Sequence, residues 1–281
     1  MDMKSIFDAV AANAERNVQS QFRDDDYIGE DGLRHCGKCG VARQTKIHVF
    51  GQDRLVWCIC DCEIEKLTRA EESRQREKVE MLKQNGFTDP TMTESVFAAD
   101  EDPESEESRY CRNYVKEFDH FYERGKGLLL TGGVGTGKTF YATCVANALM
   151  EKLHPVLFTS VGRYIRDMEN EFGGVNEKID YLNRFALVVF DDFGVERNTQ
   201  YINELVYALI DGRIRSGKPM IITTNISLED MKNPGSIEFG RIYDRILSRC
   251  IPIVFSGRNK RRQTIRRDYG EDMALLKGGS N

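Results

Sequence analysis

Four glycines, a lysine and two hydroxyls crowd into Gly132-Gly133-Val134-Gly135-Thr136-Gly137-Lys138-Thr139, which fits the pattern G-x-x-x-x-G-K-[ST] in full. Such a loop binds polyphosphate. Backbone N–H groups of Gly133, Val134, Gly135, Thr136 and Gly137 converge on phosphate oxygens, Lys138 reaches the β- and γ-phosphates, and the Thr139 hydroxyl ligates Mg²⁺. Further along, Asp191 and Asp192 stand side by side after the apolar run Phe185-Ala186-Leu187-Val188-Val189-Phe190. In a pair of this kind Asp191 holds Mg²⁺ through its water shell, and Asp192 polarises an attacking water. Asn225 closes a third run, Met220-Ile221-Ile222-Thr223-Thr224-Asn225, and offers an amide that could orient the same water. The chemistry these groups support is hydrolysis of a nucleoside triphosphate, with ATP and Mg²⁺ as the expected cofactors.

A second set of residues points to a metal. Five of the eight cysteines lie in Cys36-Gly37-Lys38-Cys39-Gly40 and Cys58-Ile59-Cys60-Asp61-Cys62. Four thiolates at this spacing suit tetrahedral Zn²⁺, which would stabilise a segment too poor in apolar residues to fold unaided. The first pair is Cys36 and Cys39. Spacing alone does not choose two of Cys58, Cys60 and Cys62, and His35 or His48 could displace a thiolate. Free cysteines and a redox C-x-x-C are the competing readings, the latter weakened because no thioredoxin-like strand precedes it. Cys111, Cys144 and Cys250 stand alone and are expected to pack as small apolar residues.

These groups need elements to carry them. Leu128-Leu129-Leu130 predicts a strand leading into the glycine loop, and Phe140 to Leu153, apolar at Val145, Ala148 and Leu149, predicts the helix after it. The N-terminus of that helix would add its dipole to phosphate binding. Continuous Val- and Ile-rich runs ending in Asp191 and Asn225 read as parallel strands buried on both faces, with ligands at their C-terminal ends. The expected fold class is therefore α/β, a parallel sheet flanked by helices, preceded by a small zinc-binding domain. Expected boundaries are 1–62 for that module, 63–85 for a charged helical connector and 86–281 for the nucleotide domain. An opening helix from Ile6 to Val18 has Ile6, Phe7, Val10 and Ala14 at helical spacing, and the run from Asp100 to Glu107 reads as a solvated acidic loop.

With 281 residues, 40% hydrophobic and 30% charged, the chain is long enough for one mid-sized domain and a small one. No apolar stretch approaches the ~20 residues of a membrane span, and Met1-Asp2-Met3-Lys4-Ser5 lacks the basic start of a signal peptide, so a cytoplasmic protein is expected. The net charge of −5 does not announce nucleic-acid binding. Basic residues are nonetheless concentrated at Arg258, Lys260, Arg261, Arg262, Arg266 and Arg267, and at Arg213, Arg215 and Lys218. Such runs suit phosphate contacts, a solvated terminus or a nucleotide-sensing arm about equally.

The order of motifs, with Tyr243-Asp244-Arg245 and Phe255-Ser256-Gly257-Arg258-Asn259-Lys260-Arg261 following Asn225, resembles the AAA+ ATPases. Within them it is similar to the DnaC/DnaI-type replicative helicase loaders and their phage relatives, over residues 86 to 268. The resemblance implies that Asn225 is the sensor 1 residue, Arg245 an arginine finger acting on a neighbouring subunit's nucleotide, and Arg261 the sensor 2 residue. It implies further that Phe172, Thr199 and Tyr201 line a path for single-stranded DNA. For the zinc module it favours Cys60 and Cys62 over Cys58. Asp192 departs from the glutamate that most AAA+ ATPases carry, and the shorter side chain suits a slow nucleotide switch. The implied protein loads a hexameric replicative helicase as an ATP-dependent homo-oligomer. An IstB-like transposition ATPase acting on duplex DNA would share the same core, whereas a metabolic P-loop kinase lacks a matching lid or acceptor-substrate motif here.

Overall fold

The computed structural model describes residues 23–49, 51–170, 174–194, 199–257, 259, 273 and 276; the side chains of 168–170 are excepted. The helix expected over Ile6 to Val18 lies outside them, as do Phe172, Arg258, Lys260 and every residue from Arg261 to Arg267. Two compact units divide between Glu77 and Lys78.

The first unit is built from hairpins. Strands β1 (Tyr27–Ile28) and β2 (Arg34–His35) pair antiparallel, and so do β3 (Gln44–Val49) and β4 (Gln52–Trp57). Helix α1 (Asp61–Gly86) follows, and the division between the units falls within it. Most of its side chains are exposed, as its lack of an apolar stripe dictates.

In the second unit five strands form one parallel sheet in the order β6-β7-β8-β5-β9. They are β5 (Gly127–Gly132), β6 (Val156–Ser160), β7 (Leu187–Phe193), β8 (Met220–Thr224) and β9 (Cys250–Phe255). Side-chain alternation explains their unbroken apolar runs. Leu128, Leu130, Val189 and Ile221 pack on one face with α4 (Lys138–Glu151) and α2 (Glu106–Lys116). On the other face Leu129, Val188, Phe190 and Ile222 meet α5 (Val161–Asn170), α7 (Gln200–Arg215) and α9 (Ile237–Arg249). Each fully buried Leu, Val or Ile contributes about 1.5–3 kcal/mol, so a strand burying both faces gains roughly twice what a half-exposed one does. The unit also contains the short helices α3 (Phe118–Glu123), α6 (Val175–Leu182) and α8 (Leu228–Lys232) and two 3₁₀ turns, Pro90–Glu94 and Phe97–Ala99.

Two features of the sheet bear on the site. Between β7 and β8 the register slips: Phe190 pairs with Ile222 but Phe193 pairs with Thr224. One extra residue is therefore inserted in β7, so Asp191 and Asp192 together oppose Thr223, and Asp192 takes a positive φ of 53°. At the sheet's rim, β9 pairs with β5 and with no other strand among the described residues, and it carries Pro252 in its middle with Ile251 41% and Val254 55% exposed.

Some expectations from charge are overturned by burial. Arg213 is fully buried, and its guanidinium donates to the carbonyls of Pro219, Leu182, Phe185 and Ala186. Desolvation lowers its pKa to about 10. Lys218 donates to the Asn183 carbonyl at 2.7 Å, and Arg215 pairs with Asp211 at 2.7 Å. Of this trio, Arg213 is thus a clamp on the segments entering β7 and β8 and has no face for DNA phosphate. The acidic run is likewise not a wholly solvated loop. The Asp100 carboxylate is buried and accepts from Ser108 Oγ (2.6 Å) and Tyr141 Oη (2.9 Å), while Ser105 caps α2 and Glu106 and Glu107 occupy its first turn, where the helix dipole favours them. Cys111, Cys144 and Cys250 are buried, and burial pushes each thiol up to about 12.

Candidate functional site

Strand β5 delivers the glycine loop to the C-terminal edge of the sheet, and α4 starts at Lys138. The loop's turns need glycine: Gly135 has a φ of 77° and Gly137, the residue capping α4, one of 102°. Gly135 is constrained twice, since a Cβ there would lie 2.2 Å from Asn259 Oδ1. Lys138 is buried, and its ammonium donates to the carbonyls of Gly132 (2.8 Å) and Gly133 (2.7 Å) and to Asn225 Oδ1 (2.9 Å). Thr136 Oγ1 donates to the Gly133 carbonyl at 2.9 Å. The loop is thereby wound around the lysine, and the lysine is tied to the end of β8.

The carboxylate pair stands beside it. Asp191 is buried, and its Oδ1 accepts from Thr139 Oγ1 at 3.0 Å and from Thr223 Oγ1 at 2.6 Å. A hydroxyl and a carboxylate oxygen held this close, at the first turn of a helix, are the hard oxygen donors that Mg²⁺ takes alongside phosphate. Asp192 is exposed, its side chain turned outward by the bulge, and its N–H donates to Thr223 Oγ1 at 2.9 Å. The structure thus brings Lys138, Thr139, Asp191 and Asn225 together as two hydrogen-bonded pairs, Lys138 with Asn225 and Thr139 with Asp191, joined through the chain neighbours Lys138 and Thr139, with Asp192 adjoining the group. Thr223 belongs to that group and escaped prediction, although it stands within the Thr-Thr-Asn run.

Arg245 sits on α9, with Nη2 3.0 Å from Asp211 Oδ1 as a charge contact and 3.4 Å from Tyr207 Oη. The Tyr207 hydroxyl and then the Asp211 carboxylate raise its pKa above the usual arginine value. Tyr201 is 56% exposed on α7 and is no core residue, while Thr199 caps that helix by accepting from the Ile202 N–H at 3.3 Å.

The cysteine group lies in the first unit. Sγ atoms of Cys36, Cys39, Cys60 and Cys62 all fall within 4.8 Å of one another, with Cys60 and Cys62 at 3.3 Å and Cys36 and Cys62 at 3.5 Å. A tetrahedron of Zn–S bonds near 2.3 Å has edges of about 3.8 Å, so the four thiols fit zinc. Backbone N–H groups of Cys39 and Lys38 aim at Cys36 Sγ and lower its pKa to about 6, as a C-x-x-C-G turn should. Cys58 lies outside the cluster, its N–H donating to the Arg43 carbonyl. His35 is held by Asp31 and the Gly40 carbonyl and His48 by Asp53, so neither joins the thiols. Behind the cluster Arg43 is buried between Asp26 (2.9 Å) and Glu63 (3.0 Å) and stacks on Trp57.

Comparison with known proteins matches this architecture to named relatives. The chain is 27% identical over 165 residues to the replicative helicase loader DnaI of Bacillus subtilis (strain 168), a match covering 54% of this chain and 53% of that one. To the replicative helicase loader DnaC of Escherichia coli (strain K12) it is 26% identical over 164 residues, covering 57% of this chain and 64% of that one. A crystal structure of DnaI superposes with a TM-score of 0.52 at 23% identity, covering 62% of this chain and 94% of that one. That likeness identifies the fold of the second unit as the AAA+ P-loop fold, as its motif order predicts. The family model described as "IstB-like ATP binding protein" matches residues 66–267. With most of its length inside that match, the chain belongs to the IstB-like ATP-binding protein family.

Proposed function

We propose that this protein is an ATP-dependent loader that sets a hexameric replicative helicase on single-stranded DNA during replication. The observation that carries the ATPase part is the pair of hydrogen bonds, Lys138 to Asn225 and Thr139 to Asp191, set side by side at the C-terminal ends of β5, β7 and β8. In this reading Gly133, Val134, Gly135, Thr136 and Gly137 cradle the phosphates, Lys138 neutralises them, and Thr139 with Asp191 holds Mg²⁺. Asp192 and Asn225 orient the attacking water. Asp192 reaches less far than a glutamate would, and slow, switch-like turnover follows. Arg245 acts across a subunit boundary in an ATP-dependent homo-oligomer, exchanging its contact with Asp211 for a neighbour's γ-phosphate, and Arg261 senses the nucleotide. Tyr201, Thr199 and Phe172 face the DNA strand. Residues 1–62, with zinc on Cys36, Cys39, Cys60 and Cys62, grip the helicase, 63–85 connect, and 86–281 form the ATPase.

Likeness to DnaI and DnaC supports the loader reading. The family model supports a second one, a transposition ATPase of the IstB kind acting on duplex DNA. One experiment separates them. Purified protein is offered the host's replicative helicase with circular single-stranded DNA, and separately a transposase with duplex DNA, each with ATP. Helicase captured and transferred to the circle is the expected result; binding confined to duplex DNA and transposase would replace the loader reading with the second.

A further inference from the structure

We infer that Thr223 is the positioning residue that sets both carboxylates of the Asp191-Asp192 pair for hydrolysis, acting from the neighbouring strand without touching nucleotide. This rests on the ATPase reading above and adds to it the device by which the chain aims its acids. Two residues of β7, Asp191 and Asp192, oppose the single residue Thr223 on β8. A bulge of this kind breaks the ladder locally and leaves backbone groups to be satisfied by other means. Here the Thr223 hydroxyl does so in both directions. Its oxygen accepts the Asp192 N–H at 2.9 Å, and its proton goes to Asp191 Oδ1 at 2.6 Å.

The consequences are geometric. Asp192 is a non-glycine residue at a φ of 53°, a left-handed conformation uncommon for L-residues though more accessible to Asp than to most. Fixing its N–H fixes the direction in which its exposed carboxylate leaves the strand. Asp191 Oδ1, shared between Thr223 and Thr139, is held against rotation. Thr223 is itself fully buried, so its hydroxyl has no water to exchange these bonds for. Its neighbour Thr224 has a different task, donating to the Phe193 carbonyl at 2.8 Å where the ladder resumes. The run of two threonines thus brackets the bulge, and only the first holds the acids.

The test compares Thr223→Ser with Thr223→Ala, which delete the same methyl and differ by the hydroxyl alone. ATP affinity, hydrolysis rate and melting temperature are measured on both, beside the unmodified protein and Lys138→Ala. Thr223→Ala is expected to bind ATP within about threefold of the unmodified protein yet hydrolyse it about tenfold or more slowly, the scale on which misplaced reacting groups lose rate. Thr223→Ser should recover most of that loss. Equal hydrolysis by the two variants would overturn the proposal, since the hydroxyl would then do nothing. It would equally be overturned if Thr223→Ala lost ATP affinity and melting temperature in proportion to rate, the mark of a packing role. Failure of the underlying reading looks different: the unmodified protein would itself not hydrolyse ATP, or Lys138→Ala would hydrolyse it as well.

Discussion

Replacing Arg213 with Met keeps a long buried side chain and removes the guanidinium, and its effect can be worked from five hydrogen bonds on four carbonyls. Bonds from a charged donor contribute about 1.5 kcal/mol each at the lower end of their range. Against them stands the burial of the charge, which takes the pKa from 12.5 to about 10 and corresponds to about 3 kcal/mol. A net loss of about 4 kcal/mol follows, because the carbonyls of Leu182, Phe185, Ala186 and Pro219 are left buried without this donor. In a domain of this size each kcal/mol moves the melting temperature by about 2–4 °C, so a fall of about 10 °C is expected by calorimetry or circular dichroism. Well below that transition, the salt dependence of single-stranded DNA binding should be unchanged, since no phosphate contact has been removed. A melting temperature within about 2 °C of the unmodified protein, or a shallower salt dependence at unchanged stability, would refute the clamp.

Further expectations follow from the two sites. Lys138→Ala removes a buried ammonium from the loop and should abolish ATP binding or its use; tight binding with unaltered turnover in an equilibrium and steady-state assay would contradict the phosphate-site assignment. Protein prepared without chelator should carry about one zinc per chain by elemental analysis, and Cys36→Ser or Cys39→Ser should lose it, whereas Cys58→Ser should retain it. Tyr201→Ala should weaken single-stranded DNA binding by ~1–3 kcal/mol with little change in melting temperature, since the ring is exposed; parallel loss of stability, ATP affinity and DNA affinity would show it to be a packing residue. Arg245→Ala should bind ATP and fail to hydrolyse it, and mixing with Lys138→Ala chains should restore some activity; no restoration in demonstrably mixed oligomers would assign Arg245 an intramolecular role, through Asp211 and Tyr207.

Features decided by local chemistry could be read from residue order alone. The glycine loop, the strand before it and the helix after it are specified by residues adjacent in the chain, and continuous apolar runs announce strands covered on both faces. The cysteine spacing was informative but left Cys58, Cys60 and Cys62 open, because selecting two of them depends on where the chain turns after β4. What escaped notice depends on strand register and on partners distant in the chain. Nothing in Thr223-Thr224-Asn225 reveals that β7 carries one residue more than β8, so the bridging hydroxyl was invisible. Arg213 looked like a surface base because charge was visible and the four carbonyls awaiting it were not. Asp100 was lost among its acidic neighbours for the same reason: Tyr141, which holds it, lies forty-one positions away.

Strand β9 bears on how copies of this chain can associate. Among the described residues no strand pairs with the outer edge of β9; a rim strand left so is a template on which another chain can extend the ladder, and Ile251 and Val254 would reward such an addition with apolar contact. Pro252 spoils the template. It has no N–H to give, and on a rim strand it is tolerated only with its nitrogen turned away from the existing ladder, toward the side an incoming strand would use. A visiting strand would find a missing donor at the centre of the row it must pair with. Growth by continuous sheet, the route to fibres, is thereby disfavoured at this rim, and association through it has to rely on side chains, which can be specific and reversible.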